Sequence, residues 1–257
     1  MKSGFGNNKK DIVLKVLAIV TALLIWQIAA LLINSPILIV GPVQVFLRLI
    51  SLVAEPAFWS SIAFSLLRIF IGFISGMTLG IALACLAYRF KPVRIFLWPW
   101  MATVKAVPVA SFVVICLIWL SPARLSSFIS FLIVLPIVYQ NTLTAMNGLD
   151  KALTDLAKLE RLSYFKQLTN IFFPNITDQI LSTASLCAGI AWKSGVAAEV
   201  IGTPHGSIGQ RLYLSKIYLA TDDLLAWTVV IVLLSVGFEK LFVFLLSKLI
   251  KHEGKIK

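Results

Sequence analysis

Long apolar runs separated by short polar segments follow one another along the whole chain. Six of these runs reach the roughly 20 residues that an α-helix needs to cross a lipid bilayer. They are apolar at consecutive positions instead of at every second position, which argues against a transmembrane β-barrel. We therefore predict an all-α integral membrane protein, a single domain over residues 1–257, with spans at 12–33, 61–87, 99–120, 125–146, 172–201 and 224–248.

The composition agrees with this prediction. Hydrophobic residues form 59% of the chain and charged residues only 13%, whereas about a quarter of a soluble domain is charged. Lysines precede the first apolar run, as they do in a signal peptide. The run at 12–33 is too long for the apolar core of a signal peptide, so we expect it to be the first span.

The positive charges are distributed unevenly between alternate polar segments. With the N-terminus in the cytoplasm, the inside segments carry fourteen Lys and Arg residues and the outside segments carry four. Cytoplasmic segments are the richer in these residues, so both termini are predicted to lie on the cytoplasmic side of a bacterial inner membrane. The net charge of +12 has the same origin. Because no basic stripe is interleaved with aromatic residues, nucleic-acid binding is not expected.

One inside segment, residues 147–171, has the pattern of an amphipathic helix. This pattern distinguishes it from the other inside segments. Leu149, Leu153, Leu156 and Leu159 follow helical spacing. An apolar stripe in the cytoplasm must be covered by the membrane surface, by the chain's own helix ends or by a partner protein.

The part of this segment from Asp155 onward resembles the EAA loop of ATP-binding-cassette (ABC) importer permeases. That motif reads E-A-A, three residues, G, nine residues, then I-x-L-P. Asp155 stands at the acidic position, Ala157 at the second alanine, and the stretch Ile171–Pro174 at the end of the motif. Leu156 replaces the first alanine and Arg161 replaces the glycine.

Three further stretches resemble the same permeases in the same order. They are "SLLRIFIGFISGMTLGIALA" (65–84), "VKAVPVASFVVICLIWL" (104–120) and "AGIAWKSGVAAEVIG" (188–202). The resemblance covers residues 41–248 and is greatest to the nitrate, sulfonate and taurine branch. It implies the type I ABC importer permease fold, with about six transmembrane helices and a cytoplasmic coupling helix in the loop 147–171.

The resemblance also implies partners. Two ABC ATPase subunits would bind the loops and carry ATP and Mg²⁺, a second permease chain would complete the path, and an external binding protein would deliver the solute. The chain itself has no Walker A pattern and is expected to have no catalytic residue, no metal and no cofactor. The implied contacts with the ATPase are Asp155, Leu156, Ala157, Leu159, Arg161, Leu162, Ser163 and Phe165.

Four charged residues in or near the expected spans are candidates for the translocation path. A charge near the middle of a bilayer requires a partner, water or a functional role. Glu199 and Arg68 are both expected in the outer half, where they could pair with each other. Lys105 and Lys193 are expected toward the cytoplasmic half or the middle, where two basic residues could favour an anion in transit. The alternative is that Lys105 reaches the inner headgroups and Lys193 forms an internal pair. The expected solute is a small organic or inorganic anion, such as a sulfonate, or a vitamin precursor.

Two other classes of transport protein remain as alternatives. A secondary transporter would need coupling-ion sites and usually two related repeats, and no convincing repeat is found. The scaffold of an energy-coupling-factor importer would show two cytoplasmic coupling helices, where this chain shows one loop of the EAA kind. A membrane-embedded enzyme is disfavoured because the spans contain no cluster of acidic or histidine residues.

Overall fold

The computed structural model describes residues 9–150, 152–153, 159–160 and 162–253. All regular secondary structure within these residues is helical, which confirms the predicted all-α class. The helices are α1 (Lys9–Ile33), α2 (Pro42–Val53), α3 (Pro56–Arg89), α4 (Lys91–Ala106), α5 (Val109–Cys116), α6 (Pro122–Asn147), α7 (Tyr164–Gln167), a π-helical turn (Leu168–Phe172), α8 (Phe173–Gly202), α9 (Ile208–Ile217) and α10 (Thr221–Glu253).

Five helical segments in the described part of the chain are long and apolar enough to cross a membrane. They are Asp11–Ile33, Pro56–Arg89, Pro122–Asn147, Tyr164–Gly202 and Thr221–Lys248. A sixth span is obtained when α4 and α5 are counted together. The total of five or six agrees with the predicted number of about six spans.

The third expected span, 99–120, is wrong as a continuous helix. α4 and α5 meet at an angle of 101°. Val107, between them, is extended, with φ −79° and ψ 130°, because the ring of Pro108 clashes with an α-helical residue before it. The observed α4 also begins eight residues before the predicted start, at Lys91.

The fifth expected span, 172–201, begins earlier than predicted. Helical structure runs without interruption from Tyr164 to Gly202, and its π-helical turn ends directly before Phe173 and Pro174. Proline has no N–H to donate to the carbonyl four residues earlier, and its ring clashes with that carbonyl. A π-helical turn is one way in which a helix accommodates such a break.

By its internal contacts the chain divides into two compact units, of which the first comprises Met1–Trp59 and Arg211–Val230. In this unit α1 is exposed along its apolar length, as expected for a helix surrounded by lipid. The short apolar segment Pro42–Val53 forms α2, which buries Val45 and Leu52.

Polar contacts hold the connections of this first unit. The Nε of Arg48 donates to Oδ1 of Asp223 at 2.5 Å, and its Nη1 lies 3.8 Å from Oε1 of Glu55. The hydrogen bond to Asp223 raises the pKa of Arg48 above its usual value. The indole of Trp26 donates to the carbonyl of Val40 at 3.0 Å. These contacts tie α2 to the start of α10 and α1 to the segment before α2.

The second unit comprises Ser60–Gln210 and Ile231–Lys257. Its centre is the packing of α3 and α8 against α6. Gly72, Gly76 and Gly80 form one face of α3, and they are so close to α6 that an added Cβ at Gly72 would lie 2.1 Å from the carbonyl oxygen of Ser127. Cβ atoms at Gly76 and Gly80 would meet Val134 and Val138 at 2.9 Å. The four-residue spacing of these glycines places them on one face of α3, and this face packs closely against α6 within the chain.

Candidate coupling loop and translocation path

The described end of the loop 147–171 is attached to the second unit at its base. The hydroxyl of Tyr164 donates to the backbone carbonyl of Cys85 at 2.5 Å. The ring of Phe172 packs edge-on against Tyr88, with centroids 5.0 Å apart. Phe172 belongs to a buried cluster with Cys85, Met146 and Ile176, against which Leu149 and Leu168 also pack. These contacts determine where the loop leaves the helices.

The apolar side chains farther out on the loop do not join this cluster. Leu159 is 82% exposed and Phe165 is 74% exposed. Leu162 is half-buried, and the exposed Ser163 caps α7 by accepting a hydrogen bond from the amide of Lys166. Of the other residues expected to contact an ATPase, Asp155, Leu156, Ala157 and Arg161 lie outside the described residues.

Arg68 contacts backbone groups and an aromatic ring. Its Nε donates to the carbonyl of Ala123 at 2.6 Å, and its guanidinium carbon lies 3.5 Å from the centroid of the Phe64 ring. Among the described residues, no ion pair joins it to Glu199. The expected Arg68–Glu199 pair is therefore not formed, and Arg68 instead links α3 to the start of α6.

Glu199 is fully buried and connects three segments of the second unit. Its Oε2 accepts hydrogen bonds from the hydroxyl of Ser65 at 2.6 Å and from the amide of Gly209 at 3.3 Å. The same Ser65 oxygen accepts the amide of Ile208 at 3.0 Å. Glu199 thereby joins α8 to α3 and to the first turn of α9, whose amides have no partner within the helix. Ser65 and Gly209 carry no sequence signal that identifies them as its partners.

Replacing Glu199 tests whether this side chain acts as a hydrogen-bonding link. We expect Glu199→Ala to destabilise the protein by about 1–2 kcal/mol, because it leaves buried donors without an acceptor. Glu199→Gln keeps an acceptor oxygen and should lose less than half as much. Thermal unfolding in detergent measures both variants. A Gln variant as unstable as the Ala variant would show that the carboxylate charge, and not its hydrogen bonds, stabilises the native protein.

Lys105 is exposed and lines a cavity of about 360 Å³ within the second unit. The cavity lies between α4 and α6, and its lining residues are Arg94, Trp98, Met101, Ala102, Lys105, Tyr139, Gln140 and Leu143. Sequence reasoning missed Arg94, Tyr139 and Gln140. The sequence does contain a signal for Arg94. Trp98 follows it by four residues and Lys105 by eleven, and these spacings place all three on one helical face.

Lys193 is exposed in the middle of α8, although its neighbour Trp192 is fully buried and donates to the carbonyl of Ile231 at 3.0 Å. Within the described part of the chain, no acidic side chain forms an ion pair with Lys193. An internal pair, the alternative to a role in the path, is therefore not found. Nor does any group of three or more His, Cys, Asp or Glu residues occur among the described residues at metal-binding distance.

Comparison with known proteins identifies relatives over most of the chain. The chain is 26% identical over 210 residues to SsuC of Bacillus subtilis, a putative aliphatic sulfonates transport permease protein. The match covers 80% of this chain and 75% of SsuC. It is 24% identical to the taurine transport system permease protein TauC of Escherichia coli, over 83% and 80% of the two chains. It is 25% identical to the nitrate import permease protein NrtB of Synechocystis, over 93% and 89%.

The fold is shared with a solved transporter. A bacterial ABC transporter that imports the acidic polysaccharide alginate matches with a TM-score of 0.64 at 16% identity, over 93% of both chains. The sequence model of the family described as "Binding-protein-dependent transport system inner membrane component" matches residues 76–251. The chain therefore belongs to this family and is a membrane-spanning permease subunit of an ABC importer.

Proposed function

We propose that two ABC ATPase subunits bind the loop 147–171 of this chain and of a second permease chain, and that their ATP hydrolysis drives import of a small anion. The observation that supports this proposal best is the exposure of Leu159 and Phe165 beside a firmly attached loop base. Burying a leucine or phenylalanine side chain contributes about 1.5–3 kcal/mol each. Two exposed apolar side chains on a charged loop thus offer a contact surface to a partner protein.

The charge distribution supports the orientation that this arrangement needs. The loop 147–171 belongs to the segments that are rich in Lys and Arg, as do both ends of the chain. In this orientation the loop and both termini face the cytoplasm, where the ATPases would hold ATP and Mg²⁺. The substrate-binding protein on which the family depends would then meet the opposite face of a bacterial cytoplasmic membrane.

The positions of the intramembrane charges support an anionic solute. Lys193 and Lys105 are exposed on helices that are candidate spans or parts of one. A lysine in the membrane is stable where it faces water or an opposite charge. We propose that both lysines face the path, while Arg68 and Glu199 hold its surrounding helices together through the contacts described above. Sulfonate, taurine and nitrate, the solutes named for the relatives, all carry an oxyanion group.

Mass spectrometry of the protein purified gently from its native membrane tests the proposal. We expect an ABC ATPase and a second permease chain to copurify, and uptake into liposomes to require ATP and the binding protein. Uptake by the chain alone, without ATP, would identify a secondary transporter instead. Copurification with a small membrane-embedded solute-binding subunit, in place of an external binding protein, would identify an energy-coupling-factor scaffold.

A further inference from the structure

The cavity between α4 and α6 combines two kinds of surface. One face of α4 contributes Arg94, Trp98, Met101, Ala102 and Lys105, and one face of α6 contributes Tyr139, Gln140 and Leu143. Arg94 and Lys105 are eleven residues apart, or about 16 Å along the helix axis at 1.5 Å per residue. The two positive charges therefore enter the same cavity from different levels of α4.

Both cations lack an acidic partner in the described part of the chain. No ion pair is formed by Arg94 or Lys105 with any described residue. The phenol of Tyr139 lines the same cavity as both cations. Gln140, on the next position of α6, is exposed and adds an amide. An anion entering the cavity would thus meet two cations and groups that donate hydrogen bonds.

The remainder of the lining is apolar. Met101 and Leu143 are 6% and 3% exposed, so each presents a small apolar surface to the cavity. Trp98 adds a large ring at the side of Arg94. Sites for small molecules have volumes of about 300–1,000 Å³, mostly apolar walls and a few polar groups that orient the ligand. A cavity of about 360 Å³ lies at the lower end of this range.

We propose that this cavity binds an organic oxyanion with a short apolar chain, of the alkanesulfonate class, with the oxyanion held by both Arg94 and Lys105 and the chain on Met101 and Leu143. The inference rests on the proposed import of small anions and adds a specific binding site to it. A membrane phospholipid offers the same oxyanion chemistry in its phosphate group, and nanodiscs with and without phosphatidylglycerol distinguish the two occupants. We assign the cavity to the solute, because its volume of about 360 Å³ fits a small molecule.

Binding of radiolabelled butanesulfonate to the purified transporter complex in phosphatidylcholine nanodiscs tests the site. We expect Arg94→Gln and Lys105→Gln each to weaken binding about tenfold or more, because each removes a hydrogen bond to a charged group. Lys91→Gln removes an exposed charge from the first turn of the same helix, outside the cavity, and should leave binding unchanged. Arg94→Lys and Lys105→Arg keep the charge and should bind better than the Gln variants.

A second measurement requires no variant. Across the series from methanesulfonate to butanesulfonate, we expect affinity for the wild-type complex to rise by about threefold to fourfold per methylene, because each methylene is buried against the apolar wall. Absence of butanesulfonate binding, or a flat series, would overturn the inference. So would binding that is lost when the nanodiscs contain phosphatidylglycerol, since a lipid phosphate would then be the occupant.

The outcome also separates this inference from the proposed function. Copurification of the ATPase and ATP-dependent uptake depend on the loop 147–171 and not on this cavity. Wild-type binding and uptake by both Gln variants would exclude the cavity as a solute site while the importer assignment remains. Failure of the ATPase to copurify, with sulfonate binding intact, would contradict the proposed coupling but leave the cavity as an oxyanion site.

Discussion

The double variant Leu159→Asp, Phe165→Asp is expected to lose the ABC ATPase that we propose binds this loop, and with it ATP-dependent uptake. Both side chains are exposed, at 82% and 74%, so the change removes no packing within the described chain. At a protein interface, truncation of a central apolar anchor costs about 2 kcal/mol or more, and a carboxylate in its place must also be desolvated. Together the changes should weaken docking more than about 100-fold, which corresponds to roughly 3 kcal/mol. Copurification and uptake measure the loss.

The control for this experiment is an equally exposed side chain elsewhere. Tyr218, which is 76% exposed just after α9, lies on the membrane face predicted to be outside. Tyr218→Asp introduces the same charge and should leave copurification of the ATPase intact. If the loop variant retains its ATPase, or if both variants lose it equally, Leu159 and Phe165 are not the docking contacts. A fall in thermal stability of the loop variant would show that these side chains instead pack on the chain itself.

The variant Gly72→Ala will strongly destabilise the second unit. Its added Cβ would lie 2.1 Å from the carbonyl oxygen of Ser127 and 2.9 Å from the Cβ of Ser130. The first contact is with backbone, so α3 and α6 must move apart, and forcing extra volume into a packed core costs about 1–3 kcal/mol. We expect a cost near the upper limit of about 3 kcal/mol and a melting temperature lower by roughly 6–12 °C. Size-exclusion chromatography after heating measures this shift.

Gly237→Ala provides the matched comparison. Gly237 lies in α10, in the same unit, and an added Cβ there would have no heavy atom within 4 Å. Alanine favours a helix over glycine by up to about 1 kcal/mol, so this variant should be as stable as the natural protein or more stable. Equal losses for the two variants would show that close approach of α3 to α6 does not limit stability.

Much of the membrane architecture is predictable because it depends on properties of each residue alone. The free energies of transferring side chains into lipid add up along an apolar run, and Lys and Arg favour the cytoplasmic side. Both effects are independent of how the rest of the chain packs. The number of spans and the separate character of the loop 147–171 follow from such sums. The family follows from the order of the motifs around that loop.

The bend between α4 and α5 is only partly predictable from the sequence. Pro108 is visible in the sequence and explains why Val107 leaves the helical conformation. A proline inside a helix can also be accommodated with a small kink, as Pro136 is in α6, which continues as one helix to Asn147. Whether a proline kinks a helix or separates two helices depends on what the following segment packs against. α5 packs Val113 and Cys116 against Leu125, Ile129 and Ala198, so its direction is determined by α6 and α8.

The sequence by itself determined the class of this protein, the approximate number of its spans and its family, because hydropathy, charge and motif order are local properties. The tertiary structure alone decided which polar groups meet: Glu199 with Ser65 and Gly209 instead of Arg68, and Arg94 and Lys105 of α4 with Tyr139 and Gln140 of α6 around one cavity. These meetings depend on the register and separation of helices distant in the chain. Close packing at positions such as Gly72 sets that register. The register cannot be predicted from the transfer free energies of single residues, because it depends on how side chains of different helices fit together.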